Sequence, residues 1–460
     1  MGTGFGPYPS LFLVNVLRTQ LQAHGRSLLF AALLISGCGG GSGSTSTTTP
    51  PQTTITSSTV AVDFGSKHQV IRGFGGSTAW MGAIGQAKIN ALFGPGTGQL
   101  GLSILRVRID PVGSATNNWV TANWGQELTN ALNARTANPN AIVMATPWTP
   151  PAAMKSNNSG IGGTLSAANY GAYAGYLESY VNYFNANGAP LYAISMQNEP
   201  DATVNYESCS WNGASIDSWV ASLTAGGATN PITTRLIIPE AEGFNTSYSD
   251  PALNDTNAVG NISIVAGHLY GASPSYYANA VSKGKEVWET EHYLTPSGSQ
   301  PAMSDALLAA REIHDSLVTG QYNAYLWWWL IDWNPGNGIT NYGLIDTNNN
   351  PTYYGYALGQ YARFIQPGYV RTDVAPASPV NGVYISAYSN STPAHLAIVA
   401  INTNTSPVSQ PFTLANGSVT SLTPYQTTSS AGLAQQSAVS VTSGQFTYTL
   451  PAQSIVTFVQ

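Results

Sequence analysis

Leu191-Tyr192-Ala193-Ile194-Ser195-Met196-Gln197-Asn198-Glu199-Pro200-Asp201 is the stretch whose reading decides the fold. Its apolar run, Leu191 to Met196, has the length of a buried strand and is stopped by an amide, a carboxylate and a proline. Strands buried on both faces of a parallel sheet read this way. A carboxylate at the C-terminal end of such a strand sits where a (β/α)8 barrel carries its chemistry. Far downstream, Glu286-Val287-Trp288-Glu289-Thr290-Glu291-His292-Tyr293 is a second strand-like run with acid near its end.

The same rhythm extends outward from both stretches. Strand-like runs occur at residues 73–77, 102–109, 141–145, 191–196, 236–238, 262–266, 286–290 and 325–330. Helical patterns lie between them, clearest at 167–187 and 302–319. In the first, Tyr170, Tyr173, Tyr176, Leu177, Tyr180 and Phe184 recur at helical spacing, as expected of a core-facing stripe. Eight strands alternating with helices predict a closed α/β barrel over residues 59–366. Gly73-Phe74-Gly75-Gly76 lacks the lysine and helix start of a phosphate loop and reads as a tight entry to the first barrel strand. From 367 to 460 short alternating runs separated by Ser, Thr, Asn and Gly predict a β-sandwich side domain. The strand at Val60-Ala61-Val62-Asp63-Phe64 precedes the barrel and is expected to join that sandwich.

Composition narrows the function. Charged residues are 8 % of the 460 and the formal net charge is −6, which argues against a nucleic-acid or anionic-membrane partner. Low charge with many Tyr and Trp suits a protein that meets neutral polymers. Arg18 and Arg26 precede an apolar run, Leu28 to Ile35, that is too short for the ~20 residues of a membrane span. The run closes in Ile35-Ser36-Gly37-Cys38, so residues 1–38 read as a signal peptide, with Cys38 resembling the lipidated cysteine of a lipobox. Residues 39–58 are a Gly/Ser/Thr/Pro tether. The expected location is extracellular or in the cell envelope, with the membrane reached only through the lipid and the chain acting as a monomer. With Cys38 lipidated, Cys209 has no partner and reads as a structural thiol.

Cutting a glycosidic bond requires a proton for the leaving oxygen and stabilisation of a positive anomeric carbon, and two carboxyl groups supply both. Glu199 ends the fourth predicted barrel strand and Glu291 the seventh, on facing walls of one mouth. Asn198 beside Glu199 can bond a sugar hydroxyl, which makes Glu199 the acid/base and Glu291 the nucleophile. Glu289 shares the parity of Glu291 but lies deeper, and Glu240 and Glu242 read as polar lining. Arg106 is open between a site role and a buried structural one. His268 and His292 are too far apart for a metal-binding helix pair, and no Cys/His cluster has ligand spacing, so neither metal nor cofactor is expected.

Several motifs in order carry a resemblance over residues 60–460. They are Gly73-Phe74-Gly75-Gly76, Ile104-Leu105-Arg106-Val107-Arg108-Ile109-Asp110, Pro147-Trp148-Thr149-Pro150-Pro151 and Ser195-Met196-Gln197-Asn198-Glu199-Pro200-Asp201. Tyr206-Glu207-Ser208-Cys209, Gly267-His268-Leu269-Tyr270-Gly271, Thr290-Glu291-His292-Tyr293 and Pro367-Gly368-Tyr369-Val370-Arg371 follow. Together they resemble glycoside hydrolase family 30, in its bacterial endo-xylanase branch. The resemblance implies a retaining enzyme on a (β/α)8 barrel, with Glu199 as acid/base and Glu291 as nucleophile. It further implies that Arg106 orients Glu291, that Asn198 holds the sugar 2-hydroxyl, and that Trp148, Tyr270 and Trp327 line the cleft. Trp327-Trp328-Trp329 cannot all face it, because strand residues alternate.

One segment departs from the branch. Glucuronate-requiring members carry an arginine after strand eight, whereas residues 330–338 (LIDWNPGNG) hold no Arg or Lys. A bidentate carboxylate clamp needs an arginine, so a strict requirement for a glucuronyl branch is not expected. Rival readings are the same machinery acting on β-1,6-glucan, galactan or glucosylceramide, and a non-catalytic polysaccharide-binding surface protein.

Overall fold

The computed structural model describes residues 53–111, 121–332, 340–390 and 395–460. The signal-peptide, Cys38 and lipid-anchor expectations lie outside these residues, as does 333–338 of the departing segment. Among the described residues no helix is long and apolar enough to cross a membrane.

Eight parallel strands close into a barrel: Gly73–Ser77, Ile104–Ile109, Ile142–Pro147, Ala193–Ser195, Arg235–Ala241, Ile264–His268, Glu286–His292 and Ala324–Trp329. They are numbered one to eight below. Their bodies are buried on both faces, which is why they read as unbroken apolar runs. Inside the barrel Ile104, Met144, Ile237, Ile264, Trp288 and Leu326 pack together. Strand one is glycine-rich because there is no room for side chains. A Cβ on Gly75 would lie 1.8 Å from the carbonyl oxygen of Ile104 on strand two.

The tyrosine stripe does more than fill the helix layer. On the helix Tyr170–Ala186, Tyr173, Tyr176, Leu177, Tyr180, Val181 and Phe184 are buried against the barrel. The hydroxyl of Tyr173 donates to the Met196 carbonyl at 2.6 Å, that of Tyr176 to Asp110 at 3.0 Å, and that of Tyr180 to Arg108 at 3.3 Å. One helix face therefore pins the C-terminal ends of strands two and four, the ends that form the mouth.

The remaining strands form one mixed sheet. Val60–Val70 runs antiparallel to Val370–Ala375 and parallel to Val408–Ala415, so it belongs wholly to this sheet and the barrel begins at Gly73. The sheet folds over on itself like a sandwich. Phe412, Phe446 and Phe458, from strands that include distant positions in the sheet order, meet with ring centroids 4.5–5.7 Å apart. The barrel helix Tyr353–Ala362 docks on it through Gln360, which donates to Thr427 Oγ1 at 2.8 Å and accepts from Thr457 Oγ1 at 2.6 Å. Arg311 lies 3.7 Å over the Tyr384 ring. Buried amide and hydroxyl bonds of this kind fix one docking geometry.

Candidate active site

The mouth is built from strand ends. Past strand four the chain turns sharply: the Asn198 N–H donates to Pro147 O at 2.8 Å and the Glu199 N–H to Glu240 O at 3.0 Å. Glu199 and Glu240 both hold left-handed backbone, with φ of 41° and 56°. A non-glycine residue held there stores roughly 1–3 kcal/mol of strain, a cost met where side chains must be aimed. Both point their carboxyl groups into the mouth, where Glu291 arrives from strand seven.

Arg106, fully buried on strand two, organises the floor. Its Nη1 donates to Glu291 Oε2 at 2.5 Å and its Nη2 to Asn198 Oδ1 at 2.6 Å. Its Nε lies 3.3 Å from both Thr146 Oγ1 and Glu240 Oε1. The Tyr270 hydroxyl donates to Glu291 Oε1 at 3.0 Å. His268 Nδ1 meets Glu199 Oε1 at 2.9 Å, and its Nε2 lies 3.8 Å from Glu240 Oε1. With its Oδ1 taken by Arg106, the polar group left on the Asn198 side chain is a hydrogen-bond donor.

Charge follows from these contacts. Burial raises the Glu291 carboxyl above its ordinary value, against the pull of His268 and Arg106. Burial also opposes charge on Glu240, yet Arg106 and His268 outweigh it and hold Glu240 down to about 2. For His268 burial is again the opposing cause, and Glu291, Glu199 and Glu240 together raise it to about 10. Glu289 pairs in register with Tyr325 and Gly267 and so faces the helix layer, because a bulge before Glu291 breaks the parity expected of the two. It accepts from the Leu326 N–H at 2.9 Å, and burial pushes it well above the carboxylate range.

One oxygen from each of Glu199 and Glu291 and one nitrogen of His268 all lie within 4.8 Å of one another. That trio has the donor types of a metal site. However, a guanidinium bonded to Glu291 already supplies a fixed cation, and a protonated imidazole offers no lone pair. The two acids instead face each other with oxygens no more than 4.8 Å apart, close enough to act on one glycosidic bond as a pair.

No family model matches the chain. Glucuronoxylanase XynC of Bacillus subtilis is 37 % identical over 415 residues, covering 88 % of this chain and 92 % of the relative. The solved glycoside hydrolase family 30 subfamily 8 xylanase Xyn30A of Clostridium acetobutylicum is 40 % identical, with a TM-score of 0.78 over 87 % of this chain and 99 % of that one. The chain belongs to glycoside hydrolase family 30. A family 30 endoxylanase of Clostridium papyrosolvens is 41 % identical at the same coverage, with a TM-score of 0.76.

Within this family 30 chain the aromatic wall differs from the one expected. Trp148 is at the site, but 2 % exposed and covered by Arg106, whose Cζ lies 4.7 Å from its ring. Trp80, half-buried with φ 61°, meets Trp148 at 4.8 Å and Trp328 at 6.1 Å between centroids. Trp327 is a correction. It faces the helix layer, packs on Tyr354 at 4.9 Å and donates its indole N–H to Tyr342 O at 2.6 Å. Ala324 and Leu326 point into the barrel, so the alternation sends Trp328 to the mouth and Trp327 away from it. Trp327→Ala is therefore expected to destabilise the fold by about 3–5 kcal/mol and leave KM unchanged. Denaturant melts and initial rates check this; a raised KM at wild-type stability would return Trp327 to the cleft.

Two residues escaped the reading of the sequence. His268 was considered only as a ligand and Glu240 only as lining, because their roles depend on neighbours from four other strands. Cys209 is buried, and burial raises its thiol to about 11, in keeping with a structural role. Asp332 Oδ1 accepts from the N–H and hydroxyl of Thr340 at 3.1 and 2.9 Å, so it ties the two ends of the strand-eight loop together.

Proposed function

We propose that this chain is a retaining endo-β-1,4-xylanase that uses Glu291 as nucleophile and Glu199 as acid/base. The close approach of Glu199 and Glu291, with Arg106 on Glu291, is the observation that carries the reading. Glu291 attacks the anomeric carbon while Glu199 gives its proton to the leaving oxygen, forming a glycosyl ester on Glu291. Water, deprotonated by Glu199, then attacks the same carbon from the opposite side and releases Glu291. Arg106 and Tyr270 each hold one Glu291 oxygen, so the carboxylate is aimed before substrate arrives. His268 holds Oε1 of Glu199 and leaves Oε2 to carry the proton. The Asn198 amide bonds the 2-hydroxyl, a contact that strengthens as the ring flattens.

The Bacillus relatives are named glucuronoxylanases. In this chain residues 330–338 carry no cation, and the Asp332 carboxylate is engaged by Thr340. Both features support an enzyme that does not require the glucuronyl branch. Mass analysis of products from linear xylan, glucuronoxylan and β-1,6-glucan tests this. Similar cutting of both xylans is expected. Products from glucuronoxylan alone would overturn the branch independence, and products from the β-1,6-glucan alone would overturn the substrate.

A further inference from the structure

Glu240 is a buried carboxylate at the mouth with no step in the reaction above. It lies at the end of strand five, fully buried, and its left-handed backbone aims it across the barrel. The groups facing it come from five other strands: Arg106 from strand two, Thr146 from three, Ser195 and Glu199 from four, His268 from six and Glu291 from seven. Glu289 and Glu242 also lie within electrostatic reach of His268.

Three contacts give this carboxylate a specific position. Its Oε2 accepts from the Thr146 hydroxyl at 3.0 Å, and its Oε1 sits 3.3 Å from Arg106 Nε and 3.8 Å from His268 Nε2. Arg106 in turn bonds Glu291, and His268 bonds Glu199. The Glu240 backbone carbonyl also accepts the Glu199 N–H. Glu240 thus stands behind both cations, and each cation touches one of the two acids.

We propose that Glu240 is a positioning residue whose buried carboxylate, set behind Arg106 and His268, holds both cations aimed, one at Glu291 and the other at Glu199. The inference rests on the retaining mechanism proposed above. Three acids, Glu199, Glu240 and Glu291, and two cations meet in one buried cluster, and a neutral imidazole at 268 would leave Glu199 without its charged donor. Charge pairs of this kind are strong where water is excluded. His268 is the nearer of the two to Glu199, so Glu240 acts on that acid through His268 rather than directly.

The sign of the effect separates this role from scaffolding. Activity requires Glu291 ionised, which sets the acid limb of the pH profile, and Glu199 protonated, which sets the alkaline limb. Glu240→Gln removes the anion 3.8 Å from His268 Nε2, and the ring is then expected to release its proton at lower pH. Both acids lose a cationic neighbour, so both limbs move to higher pH. If His268 kept its charge, loss of the anion alone would move the limbs to lower pH. A scaffolding role would lower the rate and leave the limbs in place.

Rates on xylan from pH 4 to pH 10 for wild type, Glu240→Gln and Glu240→Asp test the proposal. For Glu240→Gln, kcat is expected to fall roughly 100-fold, with KM within about twofold. Its limbs are expected to rise by about one pH unit. Glu240→Asp, which keeps the charge, is expected to recover part of the rate and the wild-type limbs. Unmoved or lowered limbs in Glu240→Gln would overturn the proposal. Imidazole ¹⁵N shifts of wild type, with His268 assigned by comparison with His268→Asn, give a second readout that needs no Glu240 variant to fold. An imidazolium persisting to pH 8 is expected, and a neutral ring at pH 7 would overturn the proposal. A wild type that cuts no xylan would sink the functional reading alone, because the ring's charge is still read in the same sample.

Discussion

Glu291→Gln is expected to lower kcat on xylan at least about 10⁴-fold while the protein keeps its wild-type melt. The amide cannot form the glycosyl ester, so the first displacement is lost rather than slowed. The fold should survive because the contacts can be rebuilt. Glutamine can turn its carbonyl oxygen to Arg106 and its NH₂ to the Tyr270 hydroxyl, which accepts as readily as it donates. Reducing-end assays beside a thermal melt measure both quantities. Near-normal turnover would remove Glu291 from the chemistry. Glu289 is a poor substitute, since it is buried on the helix side of strand seven and burial holds it in the neutral form.

Glu199→Ala has a different expected pattern, because it removes a proton carrier and leaves the nucleophile in place. On xylan, whose leaving group needs a proton, the loss is expected to be about 10²–10⁴-fold. On an aryl xylobioside with an acidic phenol the first step needs no acid, so the loss there should be much smaller. The glycosyl ester on Glu291 should then accumulate, seen as a burst of phenol and a lowered KM. Azide, which needs no general base, should enter the space left by the side chain and release a β-configured glycosyl azide. Equal losses on both substrates, with no burst, would give the proton to another group. His268, bonded to Glu199 in the parent, would be examined next.

The barrel was legible because its strands are buried on both faces, which writes them as short unbroken apolar runs. The strand-end position of Glu199 and Glu291 follows from the same pattern. Their separation does not, since 291 − 199 = 92 residues carries no distance. The aromatic wall was half legible. Alternation along 324–328 assigns Trp328 to the mouth, and the motif-based choice of Trp327 ran against that parity. Trp80 gave no cue, because a left-handed tryptophan after a glycine-rich strand is a property of backbone closure, not of pattern. Glu240 was the hardest to read. Its isolated carboxylate in Ile237-Ile238-Pro239-Glu240 looks like any strand end, and its significance comes from Arg106 and His268, 134 and 28 positions away by subtraction.

The strand Val60–Val70 has a consequence for how the chain is made. Val70 pairs with Val370, and Val62 with Val374, some 300 positions later (370 − 70). During synthesis at about 5–20 residues per second, that strand waits roughly 15–60 s for its partners, long enough for the whole barrel to emerge first. Until then its alternating apolar face is an open edge beside a nascent barrel. Pairings of such long sequence separation close late and slow the final step of folding. The yield of active protein should thus be governed by how well this early segment is shielded until its sheet arrives.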